Sequence, residues 1–243
     1  MLINMKNEKI KKIIDKISIE GFKNLSYDDN NYVCHLMDMN DCKKWFKISL
    51  EINNLKEYTY IIIRFKINFI PVTQILNKVM GFEYRPEYPY LWENADTLTI
   101  GQELFLKINE EDIRPVLKHT MTDKNVFAFY NQIQFIYYEY LLPFINKYQD
   151  LQSVNDEIIN KLPQMELGSI IPGLMHFKKQ IIMKICNNEN YRDYLEWLKG
   201  IYQMELANPN DRFYKQNVEE YEVFKKLTEY LERDDYKVFN NFS

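Results

Sequence analysis

The stretch Lys44–Phe69, KWFKISLEINNLKEYTYIIIRFKINF, decides how this chain is read. Over Lys44–Ile52, Phe46, Ile48, Leu50 and Ile52 fall on one side, with Trp45, Lys47, Ser49 and Glu51 on the other. Glu57–Phe69 repeats the arrangement, setting Ile61, Ile63, Phe65, Ile67 and Phe69 opposite Tyr58, Tyr60, Arg64 and Lys66. Successive side chains of an extended backbone point to opposite faces, so an apolar residue at every second position predicts strands with one buried face. Asn53-Asn54 suits a turn between them, because Asn tolerates positive φ. Pairing Ile52 with Glu57 would then set Trp45 opposite Arg64 and Ser49 opposite Tyr60.

Further strands are expected at 31–37 and Thr97–Ile108, and a first helix at 4–18 with Ile10, Ile13, Ile14 and Ile17 on one stripe, broken at Gly21. Pro71 opens a short helix, Val72–Met80, and Gly81 supplies its C′ residue. Residues 82–95, FEYRPEYPYLWENA, read as a loop, since Pro86 and Pro89 disfavour both helix and central strand. Near residue 108 the apolar period changes from two to between three and four. Asn109 caps one helix, and Thr122 or Asp123 caps the longest, which Pro143 kinks or restarts. Ser153 caps a short helix that stops before Pro163, and 164–173 is a linker. Helices near 174–187, 190–207 and 212–232 follow, the second carrying Tyr191, Tyr194, Leu195, Leu198, Ile201 and Tyr202 at helical spacing. The expected fold is α+β: an N-terminal helix plus an antiparallel sheet of about four or five strands over 1–108, then a mainly helical lobe over 109–243.

Composition narrows the function. With 46% hydrophobic and 27% charged residues, the chain has the profile of a folded globular protein rather than a disordered one. Its 35 acidic and 31 basic residues leave a net charge of −4, which argues against nucleic acid as the main partner. Met5–Lys16 interleaves five lysines with Ile10, Ile13 and Ile14, an amphipathic helix rather than a signal peptide. Apolar runs such as Tyr58–Ile63 are too short for a bilayer, so no membrane partner is expected. Cys34, Cys42 and Cys186 follow no metal or redox spacing and read as buried thiols of a cytoplasmic protein.

The polar residues form no catalytic motif. HExxH, Walker A, GxGxxG and GxSxG are all lacking, and 6 glycines are poor material for a phosphate-cradling loop. His35, Asp38 and Asp41 have spacings that a tight turn could point at one cation, although a strand-to-strand turn calls for the same residues. His119 suits a helix C-terminus, and Glu110-Glu111-Asp112 suits a helix N-terminus. His176 reads as a surface or half-buried helix residue. No metal and no cofactor are expected.

Two aromatic groupings are the candidate contact sites. In the loop, Tyr84, Arg85, Tyr88, Tyr90 and Trp92 carry the residue types enriched in binding hot spots, and the prolines lower the cost of ordering them. On the hairpin, Trp45, Lys47, Tyr58, Tyr60, Arg64 and Lys66 share one sheet face. Aromatic and basic residues so interleaved can stack bases, unless helices cover them.

The element order, with the stretch Tyr140-Leu-Leu-Pro-Phe-Ile-Asn-Lys-Tyr148 and the Ser153-capped helix after it, resembles bacterial domains of unknown function of the immunity-protein kind over residues 1–162. That resemblance implies a non-enzymatic cytoplasmic protein that occludes another protein, such as a toxin. The weakly acidic balance would complement a basic nuclease. The alternatives are an enzyme or accessory protein with a diffuse small-molecule site between sheet and helical lobe, and RNA binding through Trp45, Tyr60 and Arg64.

Overall fold

The computed structural model describes residues 24–28, 33–37, 44–55, 58–81, 100–107, 131, 135 and 137–239, with side chains described at 67–81, 100–101, 131, 135, 138–140 and 142–237. By its contacts the chain divides into two units, one from Met1–Ile67 and Gly101–Gln149, the other from Asn68–Ile100 and Asp150–Ser243.

The strands are β1 (Asn24–Asp28), β2 (Val33–Met37), β3 (Lys44–Leu55), β4 (Tyr58–Phe69) and β5 (Ile100–Lys107). β1 and β2 form an antiparallel pair in which Ser26 faces His35, while β3, β4 and β5 form a separate sheet in that order. The single antiparallel sheet of four or five strands is therefore overturned, and helix predominates in what is described. Alternation identifies the buried face of a strand but carries nothing about its neighbours, which turns and register decide. Asn53 and Asn54 illustrate this: both lie inside β3, not in a turn. The register that set Trp45 opposite Arg64 thereby loses its premise. β1 had no sequence signal, because NLSYD offers only Leu25 and Tyr27 in alternation.

Several expected elements lie outside the described residues: the helix at 4–18, the loop at 82–95, and the helix from Asn109. Of the longest helix, Asn131 and Phe135 are described and are helical. A π-helical turn, Tyr137–Leu141, leads directly into α2 (Leu142–Lys147), with Pro143 at its second position, and a π-type turn is a recurrent site of such irregularity in a helical run.

In the second unit, α1 (Ile70–Met80) begins beside Pro71 and ends at Gly81, whose φ of 78° lets its N–H donate to the Asn77 carbonyl. α3 (Leu151–Val154) is capped by Asp150, not Ser153. The Asp150 carboxylate accepts from Ser153 N at 2.7 Å while the Ser153 hydroxyl accepts from Asp150 N at 3.2 Å, a reciprocal capping box with Ser153 as its inner member. The chain continues as a π-helical stretch, Asn155–Ile159. The expected linker contains α4 (Gln164–Ile170), begun just after Pro163 and anchored by fully buried Leu167.

Three longer helices follow: α5 (Met175–Ile185), α6 (Tyr191–Glu205) and α7 (Tyr214–Glu232). α5 touches α1, α6 and α7, and α7 also touches α1 and α6. Their shared core comprises Val72, Ile75 and Leu76 of α1, Phe177, Ile181 and Ile182 of α5, Leu195, Leu198 and Tyr202 of α6, and Phe224, Leu227 and Leu231 of α7. Tyr202 packs its ring against Tyr221 and Phe224. At one end of these helices Glu232 receives Arg192 at 2.7 Å and Lys184 at 3.6 Å. α5 ends in a Schellman motif: Asn187 is left-handed at φ 50°, Asn188 N–H reaches Met183 O at 2.9 Å, and Asn187 N–H reaches Lys184 O at 3.2 Å.

Candidate functional site

The Schellman turn sets up a cleft between α5 and α6. On α5, His176, Lys179 and Met183 are three and four residues apart and so share a face. On α6, Asp193 and Trp197 are one turn apart, with Tyr194 beside them. These helices, the start of α4 and the end of the π-helical stretch enclose a concavity of about 380 Å³, lined in part by Asn160, Gln164, Lys179, Asp193, Tyr194 and Trp197.

Each wall is held by a named contact. The Lys179 ammonium donates to Gln164 Oε1 at 2.7 Å and sits 4.5 Å from the centroid of the Tyr194 ring, a cation–π geometry. Tyr194 donates its hydroxyl to the His176 carbonyl at 3.1 Å, and its oxygen lies 3.3 Å from His176 Nδ1. Gln164 Nε2 lies 3.4 Å from the same ring nitrogen. Trp197 stacks on Tyr194 with centroids 5.7 Å apart, lies 6.1 Å from the His176 ring centroid, and is 44% exposed. Asn160 is positioned from below: Asn188 donates to Asn160 Oδ1 at 2.8 Å and to Asn155 Oδ1 at 2.6 Å, while its own Oδ1 accepts from Asn190 N at 2.9 Å.

Burial shapes the titrations here. It lowers the His176 pKa, Glu220 of α7 opposes the shift, and Lys179 adds to it, so the imidazole is neutral at pH 7. Burial also lowers Lys179. Tyr194 is pushed up by burial and, secondarily, by Tyr202, which keeps its hydroxyl protonated. The nearby Cys186 thiol is pushed up to about 12 by burial, with Asp156 and Asp150 adding to the effect. It is a poor nucleophile, since the thiolate is the reactive form. Among the described residues no group of three His, Cys, Asp or Glu side chains is placed to hold a metal ion. The lining thus offers a cation, an acid, amides and an aromatic wall, groups that can hold a polar ligand by charge, hydrogen bond and ring contact.

Of the expected contact residues, Tyr84, Arg85, Tyr88, Tyr90 and Trp92 lie outside the described residues. Trp45 and Lys47 fall on β3, and Tyr58, Tyr60, Arg64 and Lys66 on its neighbour β4, but their side chains lie outside the description. His35 stands on β2, while Asp38, Asp41, His119 and Glu110-Glu111-Asp112 lie outside it. His176 is half-buried and is not among the residues lining the cleft. Lys179, Asp193 and Trp197 carried no motif. The available signal was Trp197, a large aromatic off the Tyr194–Leu198–Tyr202 stripe of its own helix. Among the described residues no helix is long and apolar enough to cross a membrane. Comparison with protein-family models, with curated proteins and with solved structures finds no match.

Proposed function

We propose that this chain is a non-enzymatic protein-binding protein of the immunity or antitoxin kind, which occludes a surface of another protein. The observation that carries this reading is the outer face of α6. Trp197 and Met204 are two turns apart on one side of the helix, 44% and 67% exposed, with Gly200 between them. Gly200 has open space where a Cβ would stand. A glycine in a helix interior costs about 1 kcal/mol relative to Ala, and neither crowding nor a positive φ calls for one here. Close approach of a partner to this face would. Met165, 97% exposed, and Phe213, 48% exposed, add large apolar side chains of the types that interface cores favour. The net charge of −4 suits a basic partner such as a nuclease toxin. The Tyr84–Trp92 segment is the second contact of the same proposal.

The test is affinity capture from native host lysate, with and without nuclease treatment, read by mass spectrometry. One stoichiometric protein should survive nuclease and be lost with Met204→Glu, or with Tyr88→Ala plus Trp92→Ala. Recovery of nucleic acid alone, or of no stoichiometric protein, refutes the proposal.

A further inference from the structure

We propose that the cleft between α5 and α6 binds a free α-amino acid with a large apolar or aromatic side chain. Two opposite charges, Lys179 and Asp193, line one cavity without pairing with each other. Among the described residues Lys179 has a single hydrogen-bond acceptor, Gln164 Oε1, and no carboxylate within ion-pair reach. An ammonium has three N–H donors, so part of its capacity stays open in a half-buried setting. Asp193 lines the same cavity and, among the described residues, its carboxylate makes no ion pair and no hydrogen bond. The positive end of the α6 dipole explains why an acid is tolerated in that first turn, but not why it borders the cleft opposite an unpaired cation.

A simple anion entering this cleft would meet Lys179 favourably and Asp193 unfavourably, and a simple amine the reverse. A zwitterion satisfies both, and the mismatched charge rejects its two half-ligands. The apolar requirement comes from Trp197, which stacks on Tyr194, lines the cavity and is 44% exposed. A flat or branched side chain laid against it gains contact area that a small polar amino acid cannot. The Asn160 amide stands at the wall with its oxygen held by Asn188, which leaves its Nδ2 to donate to the carboxylate of the head group. The volume, about 380 Å³, lies at the small end of ligand sites. Trp197 is common to this site and the protein-binding face, but Met204, Gly200 and the Tyr84–Trp92 segment belong only to the face and Lys179 and Asp193 only to the cleft, so variants at those residues let either reading fail alone.

The experiment is calorimetric titration of the full chain at pH 7 with L-phenylalanine, L-tryptophan, L-leucine and L-methionine, and with 3-phenylpropionate and 2-phenylethylamine as half-ligands. At least one amino acid should bind one site saturably, and each half-ligand at least about tenfold more weakly than L-phenylalanine. Asp193→Asn and Lys179→Met should each weaken amino-acid binding by at least about tenfold. Asp193 is exposed, so Asp193→Asn keeps the fold and decides the matter should Lys179→Met be unstable. Absence of saturable binding by all four amino acids up to about 10 mM overturns the proposal. So does binding of 3-phenylpropionate as tight as that of L-phenylalanine, with Asp193→Asn indistinguishable from wild type.

Discussion

Asn188→Ala should be among the most damaging polar truncations in the helical unit, and its cost can be worked from the geometry. The side chain is 9% exposed and makes three hydrogen bonds: to Asn155 Oδ1 at 2.6 Å, to Asn160 Oδ1 at 2.8 Å, and from Asn190 N at 2.9 Å. Each contributes about 1 kcal/mol net, so their loss accounts for about 3 kcal/mol. The two acceptors left behind differ. Asn160 is exposed and rehydrates, whereas Asn155 is only 2% exposed, and its Oδ1 stays buried without a donor, a further penalty of about 1 kcal/mol or more. The expected total is about 4 kcal/mol, against less than about 1 kcal/mol for Asn160→Ala. Urea unfolding followed by helical circular dichroism measures both. With a slope near 3 kcal/mol/M, Asn188→Ala should lower the midpoint by about 1.3 M. A loss below about 1 kcal/mol, or an Asn160→Ala variant equally destabilised, would show that the asparagine bridge is not what joins the π-helical stretch to the start of α6.

Three further perturbations bear on the same unit. Burial holds the His176 pKa below its unfolded value, so the unfolded chain binds more protons as pH falls through about 6.5. Stability should therefore decline on acidification from neutrality, until pH drops below the folded pKa. In His176→Gln this decline should be shallower in a pH series of urea midpoints, and an unchanged slope would remove His176 as its source. Gly200→Ala adds a Cβ into open space and should stabilise the free chain by about 1 kcal/mol, raising the midpoint temperature by about 2–4 °C. The same variant should weaken partner capture, and a lower melting temperature would mean that the α6 face is more crowded than its geometry shows. Cys186, with its thiol pushed up to about 12, should alkylate with iodoacetamide at pH 8 roughly a thousandfold more slowly than an ordinary cysteine. Peptide mass spectrometry follows that residue alone, and rapid labelling would contradict its burial.

What was legible in the sequence is what local chemistry decides. Pro71 and Gly81 bracket α1 because one residue lacks a donor and the other accepts φ 78°, and neither requirement depends on distant contacts. The stripe Tyr191, Tyr194, Leu195, Leu198 and Tyr202 identifies the buried side of α6 for the same reason, since helical geometry alone fixes which residues share a face. The helix hidden in 164–173 shows where this stops. Seven residues span too few turns for a period to show, and Gly168 and Pro172 outweighed the single anchor, Leu167. Strand pairing failed similarly: β3 runs on through Asn53 and Asn54 to Leu55, although the apolar alternation stops at Ile52 and turn propensity pointed to an end there.

The cleft lies beyond such reading for a stronger reason. Lys179 and Asp193 are fourteen positions apart, on two helices joined through an asparagine turn, and a charge on a helix surface ordinarily means a solvated face. Nothing in either helix alone separates a solvated lysine from one whose Nζ lies 4.5 Å from the centroid of a buried tyrosine ring. That distinction arises only when Asn187 takes its left-handed conformation and Asn188 bonds back to Asn155 and Asn160. The asparagine bridge and the cleft should therefore fail together. Asn188→Ala examined at low temperature, where the fold persists, should weaken L-phenylalanine binding although residue 188 is not among those lining the cavity. Undiminished affinity in that variant would mean that Lys179 and Asp193 are held by the helix core alone.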